Sequence, residues 1–292
     1  MTDIYQQIWD ADQTHAGLTA VNVGTAISDA LRQSGYVVVD ESQKAGTKHK
    51  LISAIHLPEH KATSYALVRK LFNNYTLDQT KSEHNFPEEA KEVQEFLEAV
   101  HRTPPMEVAR AYVSERLGAA VSPDQWWAIL QRVWFEQFSD GNNRDLSGFE
   151  HVVVGEQKRG KVQGYHSWYK YYLDEHFRRE AGGPEVDGIE FLAWKRPAGD
   201  TTPDVATLSF QWRAFDYEAV AFRPLIKPIG GFWIGPSTEG LMAIGTVRFL
   251  PEVMAPKRAV VNGFAYNLPL FRSANDRHLR TFYPEFVEEV TP

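Results

Sequence analysis

Apolar residues keep one period in the first half of this chain and another in the second, and the change falls near residue 140. Upstream, Ala90, Val93, Phe96, Leu97 and Val100 recur at helical spacing behind Pro87-Glu88-Glu89, whose acids suit the positive end of a helix dipole. Thr103-Pro104 opens a second helix and Gly118 closes it. Ser122-Pro123-Asp124-Gln125 is a capping box with proline at the first helical position. An apolar helix through Trp126, Trp127, Leu130, Val133, Trp134 and Phe138 follows, and its aromatics read as core. Downstream, β-branched and aromatic runs at 189–195, 205–212, 229–234, 258–262 and 279–283 are bounded by Gly, Pro or Asp and read as strands. Helices first and strands afterwards favour an α+β fold over an alternating doubly wound sheet. The polar loop Gly141-Asn142-Asn143-Arg144-Asp145 divides a mainly helical region, 1–140, from a β-rich region, 141–292. With 292 residues, 43% of them hydrophobic, the chain can bury one large core or two modest ones.

The chain has no cysteine, which excludes a disulfide framework, a thiolate nucleophile and Cys-ligated zinc. Met1-Thr2-Asp3-Ile4-Tyr5-Gln6 is no basic segment ahead of an apolar run, and no apolar stretch nears the ~18 residues of a membrane span. The expectation is a cytoplasmic protein without a membrane partner, in which Asn74-Tyr75-Thr76 is not a glycosylation site. A net charge of −7 argues against a polyanionic partner. Its distribution softens that objection. Arg223, Lys227, Arg248, Lys257, Arg258, Arg272, Arg277 and Arg280 face only Glu239, Glu252 and Asp276 between residues 221 and 283.

Two short segments carry histidines: Phe149-Glu150-His151-Val152-Val153-Val154-Gly155-Glu156 and Gly164-Tyr165-His166-Ser167-Trp168. The stretch Lys158-Arg159-Gly160-Lys161 between them is a tight turn that can return the second segment to the first. Val152, Val153 and Val154 predict that His151 lies on or beside a strand, and His166 opens a helix with Trp168, Tyr172 and Leu173. Two imidazoles in one cleft supply a proton acceptor and a proton donor near neutral pH. Lys227, in Leu225-Ile226-Lys227-Pro228-Ile229-Gly230-Gly231, is an isolated charge at a strand end beside glycines, where it can reach a phosphoryl oxygen. Each piece has a plainer reading. A lone histidine near apolar residues is usually structural, a lysine in such a run can guard a sheet edge, and Glu150 and Glu156 can be solvated strand residues. His151, Glu156 and His166 match no zinc motif, and His176 and His278 form no comparable pattern.

Together with Ile226-Lys227-Pro228-Ile229-Gly230-Gly231-Phe232-Trp233-Ile234-Gly235-Pro236-Ser237 and Thr281-Phe282-Tyr283-Pro284, these segments resemble the EndoU (XendoU-like) endoribonucleases, in a bacterial-type member. The terminal motif is also similar to that of the distantly related coronavirus uridylate-specific endoribonucleases. Ile8-Trp9-Asp10 resembles the opening of cellular members. The resemblance covers nearly the whole chain. It implies an α+β fold whose β-rich catalytic half carries antiparallel sheets and packs with the helical half as one unit. It implies cleavage of single-stranded RNA, usually at uridine, to a 2′,3′-cyclic phosphate. His166 then falls on the general base, His151 on the general acid and Lys227 on the cation that stabilises the phosphorane. Glu150 and Glu156 fall on supporting acids, and Thr281 and Tyr283 on nucleotide-holding positions. Gly231 stands where uracil-reading relatives carry serine, which leaves its backbone N–H as a contact to the base. The chemistry requires no cofactor; Mn2+ enters through the resemblance, since cellular members are described as manganese-dependent. A monomer is expected, with RNA as partner. The alternatives are an RNA-binding protein without turnover and a ribonuclease toxin module.

Overall fold

A computed structural model describes residues 3–42, 50–178, 183–195, 202 and 204–290. Asp3 caps α1 (Ile4–His15) by accepting from the Tyr5 N–H, and the helix buries Ile4, Tyr5, Ile8 and Trp9. Beyond it, β1 (Thr19–Asn22), the short α2 (Asp29–Ser34), β2 (Tyr36–Val39) and β3 (Ile52–His56) follow, and the strands form a sheet in the order β1-β2-β3. The region read as helical therefore contains a sheet. Tyr36-Val37-Val38-Val39 is a β-branched run whose state is decided by pairing, parallel to β1 and antiparallel to β3.

Four helices follow: α3 (Ala62–Lys70), α4 (Pro87–Val100), α5 (Pro104–Leu117) and α6 (Pro123–Leu130). Proline starts the last three where the sequence places it, Gly118 ends α5 in the left-handed conformation, and Ser122 and Gln125 close the capping box. The apolar helix is shorter than expected. It ends at Leu130, gives way to a π-helical turn at Gln131–Phe135, and Phe138 lies in β4 (Phe138–Asp140). The wider turn buries Val133, Trp134 and Phe135 in succession, with the Trp134 indole N–H donating to Thr246. β4 pairs with β5 (Asn143–Leu146) around Gly141-Asn142.

The sheet that carries the site comes next. β6 (Glu156–Lys158) and β7 (Lys161–Gln163) form a hairpin, closed at Arg159 and Gly160, both at positive φ as a two-residue turn of matching twist requires. After α7 (Trp168–Glu175) come β8 (Ile189–Trp194), β9 (Val205–Asp216) and β10 (Ala221–Trp233). The order is β6-β7-β10-β9-β8, antiparallel throughout except where β10 meets β7. α8 (Thr238–Phe249) was not legible as a helix because it is buried nearly all round and has no polar stripe. Ser237 caps it, and Asp12 of α1 accepts from the Ser237 N–H at 2.8 Å, which ties the first helix to the last. Finally, β11 (Arg258–Val261) and β12 (Phe264–Asn267) join β15 (Glu285–Glu289) in one sheet, while β13 (Leu270–Arg272) pairs with β14 (Leu279–Phe282). A continuous cluster of buried side chains runs from Ile4 to Phe282, so residues on both sides of position 140 share a core. No described helix is long and apolar enough to cross a membrane.

Candidate active site

Three backbone devices bring the two histidine segments together. Glu150–Val154 form a π-helical turn, not the strand expected from the three valines. Tertiary hydrogen bonding overrides the β-branched run: the His151 carbonyl accepts from the Tyr165 N–H at 2.8 Å and the Val152 carbonyl accepts from the His166 N–H at 2.6 Å. Gly155, at φ +85°, then turns the chain into β6, and the β6–β7 hairpin brings residues 164–166 back against the turn. Gly164 is required at this contact. A Cβ there would stand 1.7 Å from the His151 carbonyl oxygen.

His166 lies two residues ahead of α7, whose N-cap is Ser167. Its Nδ1 is 2.7 Å from the Gly231 carbonyl, and a carbonyl only accepts, so Nδ1 carries the proton. The neutral ring therefore holds a bare lone pair on Nε2. Burial, followed by the Lys227 charge, drives His166 well below the usual imidazole range, so the ring stays neutral at physiological pH. Tyr283, just past β14, stacks on this ring at 4.7 Å between centroids and 14° between planes.

His151 has its Nδ1 2.9 Å from Glu156 Oε1. Burial, then Arg280, hold it down at about 4 against the opposing pull of Glu156. Glu156 is fully buried at the start of β6. Burial alone would raise it, but His151 and Arg280 bring it below the ordinary carboxylate value. Glu150, buried beside it, goes the other way, well above the usual range, through burial and then the Glu156 charge. Glu156 is thus the charged member of the pair and Glu150 the member that keeps its proton.

Lys227 is not at a strand end or a sheet edge. It lies inside β10, between β7 and β9, where the register with β9 shifts between Lys227 and Gly230. The bulge redirects the side chain inward, where Nζ donates to the Gly164 carbonyl at 2.7 Å. A Cβ at Gly230 would meet the lysine stem at 3.2 Å, so the glycine gives that stem room. Burial lowers Lys227 to about 8. No second hydrogen-bond partner for Nζ is found among the described residues, which leaves two of its three donors for a ligand. The charge of Lys227 bears on both rings, and that of His151 on His166, so the three residues share one electrostatic site. Gly231 meets that site through its carbonyl, and a Cβ there would press on the Pro284 carbonyl oxygen at 3.1 Å. Thr281 is on β14 opposite Phe271, and its buried Oγ1 has no hydrogen-bond partner among the described residues.

Sequence reasoning missed Arg280. Strand alternation places it on the face opposite Thr281, and only the register shift in the β13–β14 pair re-aims it toward His151. The wider basic stretch is largely committed within the fold. Arg223, Arg258 and Arg277 pair with Asp216, Glu288 and Glu136, while Arg248 and Arg272 donate to the Leu268 and Phe249 carbonyls.

Residues 1–284 match the family model described as Endoribonuclease XendoU. The chain belongs to the XendoU family. It is accordingly an endoribonuclease with RNA as its substrate. Among the relatives is the poly(U)-specific endoribonuclease-B of Xenopus laevis, 28% identical across all of this chain and 95% of that one. The uridylate-specific endoribonuclease B of Danio rerio is 31% identical over 85% of this chain and 82% of its own. A solved XendoU structure, described as a splicing-independent snoRNA-processing endoribonuclease, matches with a TM-score of 0.71 at 25% identity, covering 99% of this chain and 97% of that one. The mixed fold with antiparallel sheets is that of XendoU.

Proposed function

We propose that this XendoU-family enzyme cleaves single-stranded RNA at uridine by internal transesterification. The observation that carries the reading is the Gly231 carbonyl on His166 Nδ1, which leaves Nε2 as a bare base in a neutral ring. His166 Nε2 takes the proton of the ribose 2′-hydroxyl, the 2′ oxygen bonds to phosphorus, and the P–O5′ bond breaks. His151, as the imidazolium, gives its Nε2 proton to the departing 5′ oxygen, and the products are a 2′,3′-cyclic phosphate and a 5′-hydroxyl. The incoming phosphodiester anion favours that imidazolium, offsetting the low value of His151 in the free enzyme. Lys227 neutralises the charge that grows on the phosphoryl oxygens.

Uridine preference rests on the named specificities of the relatives and on Thr281. Its hydroxyl is covered in the free enzyme and has no partner among the described residues, so a turn of the Thr281 side chain on binding would let it accept from the uracil N3–H or donate to a uracil carbonyl. The Tyr283 ring stacks on one face of His166 and so holds the plane of the base's ring. A single 2′-deoxy uridine at the scissile position is expected to abolish cutting there while the same RNA still binds. Normal cutting of that substrate would replace transesterification with hydrolysis by an activated water.

Manganese has no step in this scheme. Among the described residues no group of three or more His, Asp or Glu side chains is placed to hold a metal, and the Arg280 guanidinium already bridges His151 and Glu156, where a second cation would be repelled. Cleavage is expected to persist in excess chelator. Complete loss, restored by Mn2+ alone, would show that a metal is needed.

A further inference from the structure

One nitrogen in this site carries two incompatible hydrogen bonds. Arg280 Nη1 is 2.5 Å from His151 Nδ1, and a guanidinium only donates, so this contact requires a bare lone pair on Nδ1. Glu156 Oε1 is 2.9 Å from the same Nδ1, and a carboxylate only accepts, so that contact requires a proton there. Only one of the two can be satisfied at a time. Arg280 is held ready for both outcomes, because Nη1 also donates to Glu156 Oε1 at 3.1 Å and Nη2 to Gln79 at 2.9 Å. With Nδ1 bare, the guanidinium bonds the ring and the carboxylate together. With Nδ1 protonated, the ring turns its bond to Glu156, and Arg280 keeps the carboxylate and Gln79.

We infer that Arg280 is the positioning residue of the acid: its guanidinium and a proton exclude one another at His151 Nδ1, and this exclusion sets the pH range in which the enzyme cleaves. The inference rests on His151 being the acid. The imidazolium needs protons on both nitrogens, one for Glu156 and one for the leaving oxygen. Arg280 disfavours that form by its charge and by its claim on Nδ1. The other charges facing His151 act in fixed directions: Glu156 on β6 favours the imidazolium, while Lys227 on β10 disfavours it. Glu150, on the same π-helical turn, keeps its proton and adds little charge. Arg280 is the member whose hydrogen bond switches with the proton. Its side chain is 15% exposed, against none for Glu156, so RNA phosphate can reach it, draw it from Nδ1 and free the ring for protonation when substrate arrives.

The test is Arg280→Met, with Arg280→Lys as the charge-keeping companion. The His151 ring is titrated by NMR in the free protein, and kcat/KM, which reports the free enzyme, is measured against pH on a uridine-containing oligoribonucleotide. Removing the guanidinium raises the ring's affinity for a proton. In Arg280→Met both the ring titration and the alkaline limb of kcat/KM are expected to move up by about one pH unit or more, roughly a tenfold larger imidazolium fraction above that limb. In Arg280→Lys, which keeps the charge and loses the fork, both are expected to fall between. An unmoved ring titration in Arg280→Met overturns the role of Arg280 and leaves the acid assignment standing. If Arg280→Met fails to fold, Arg280→Lys decides by the same titration. A ring titration that moves while the rate profile does not overturns His151 as the acid, and with it the effect on cleavage.

Discussion

Alanine at His166 lowers kcat by roughly 10²–10⁴-fold and leaves RNA affinity close to that of the unaltered enzyme. The ring is positioned by its bond to the Gly231 carbonyl and by Tyr283, and neither contact needs a charge on the imidazole. Removing it therefore deletes a proton acceptor and no phosphate-binding cation. The loss appears in kcat and kcat/KM together, the mark of an interaction made only in the transition state. Burial and Lys227 hold His166 far below the usual imidazole value, so the base is already deprotonated at neutral pH, and the unaltered enzyme should show no loss from this group until the pH is well on the acid side. Single-turnover cleavage with a separate binding measurement checks the expectation. Turnover at the unaltered rate would remove His166 from the mechanism.

Lys227→Met is expected to slow cleavage by roughly 10²–10³-fold, the usual cost of losing one preorganised donor to a charge-bearing oxygen. The same substitution is expected to raise Tm. The sign follows from the lysine's buried position in β10. Its folded value, about 8, lies below the ordinary 10.5, so this group's contribution to stability is whole above about 10.5 and is lost as the pH falls through about 8. At neutral pH the buried ammonium is a net cost, about 3 kcal/mol for that displacement, against about 1 kcal/mol for the hydrogen bond to Gly164. The isosteric methionine removes both, and a gain on the order of 1–2 kcal/mol follows. An enzyme that loses activity while gaining stability points to a charge kept for chemistry. A variant with normal turnover, or one that melts lower because the sheet needs the lysine, would show a structural role. Arg at 227 should not rescue, since its planar fork does not fit where a slim stem passes over Gly230. Lys227 loses its proton near pH 8, so cleavage should show a second, further decline above that pH, distinct from the limb that His151 sets at lower pH.

Local signals carried the helix starts. Pro87, Pro104 and Ser122-Pro123 act through the first turn of their own helices, so their meaning survives whatever packs around them. The hairpin at Arg159-Gly160 was legible for the same reason, since the turn sets its own geometry. Elements whose state depends on distant partners were not legible. Val152, Val153 and Val154 have strand propensity, yet Tyr165 and His166 supply hydrogen bonds to a π-helical turn. Tyr36–Val39 needed β1 and β3 to become a strand, and α8 needed its burial on all sides to be stable without a polar face. Of the site, the residue types and their order along the chain could be read, and Arg280 could not.

The chain by itself determined which chemical groups are available: two imidazoles, an ammonium and supporting carboxylates in segments whose order resembles one family. The tertiary structure alone decided their states. It placed the Gly231 carbonyl on His166 Nδ1, set Glu156 and Arg280 in competition for His151, and buried Lys227 at a bulge. The reason is that protonation and tautomer depend on which donors, acceptors and charges lie within a few ångströms, and apart from Glu156, five residues from His151, these come from far along the chain, as with Gly231 to His166 (65 residues) and Arg280 to His151 (129 residues).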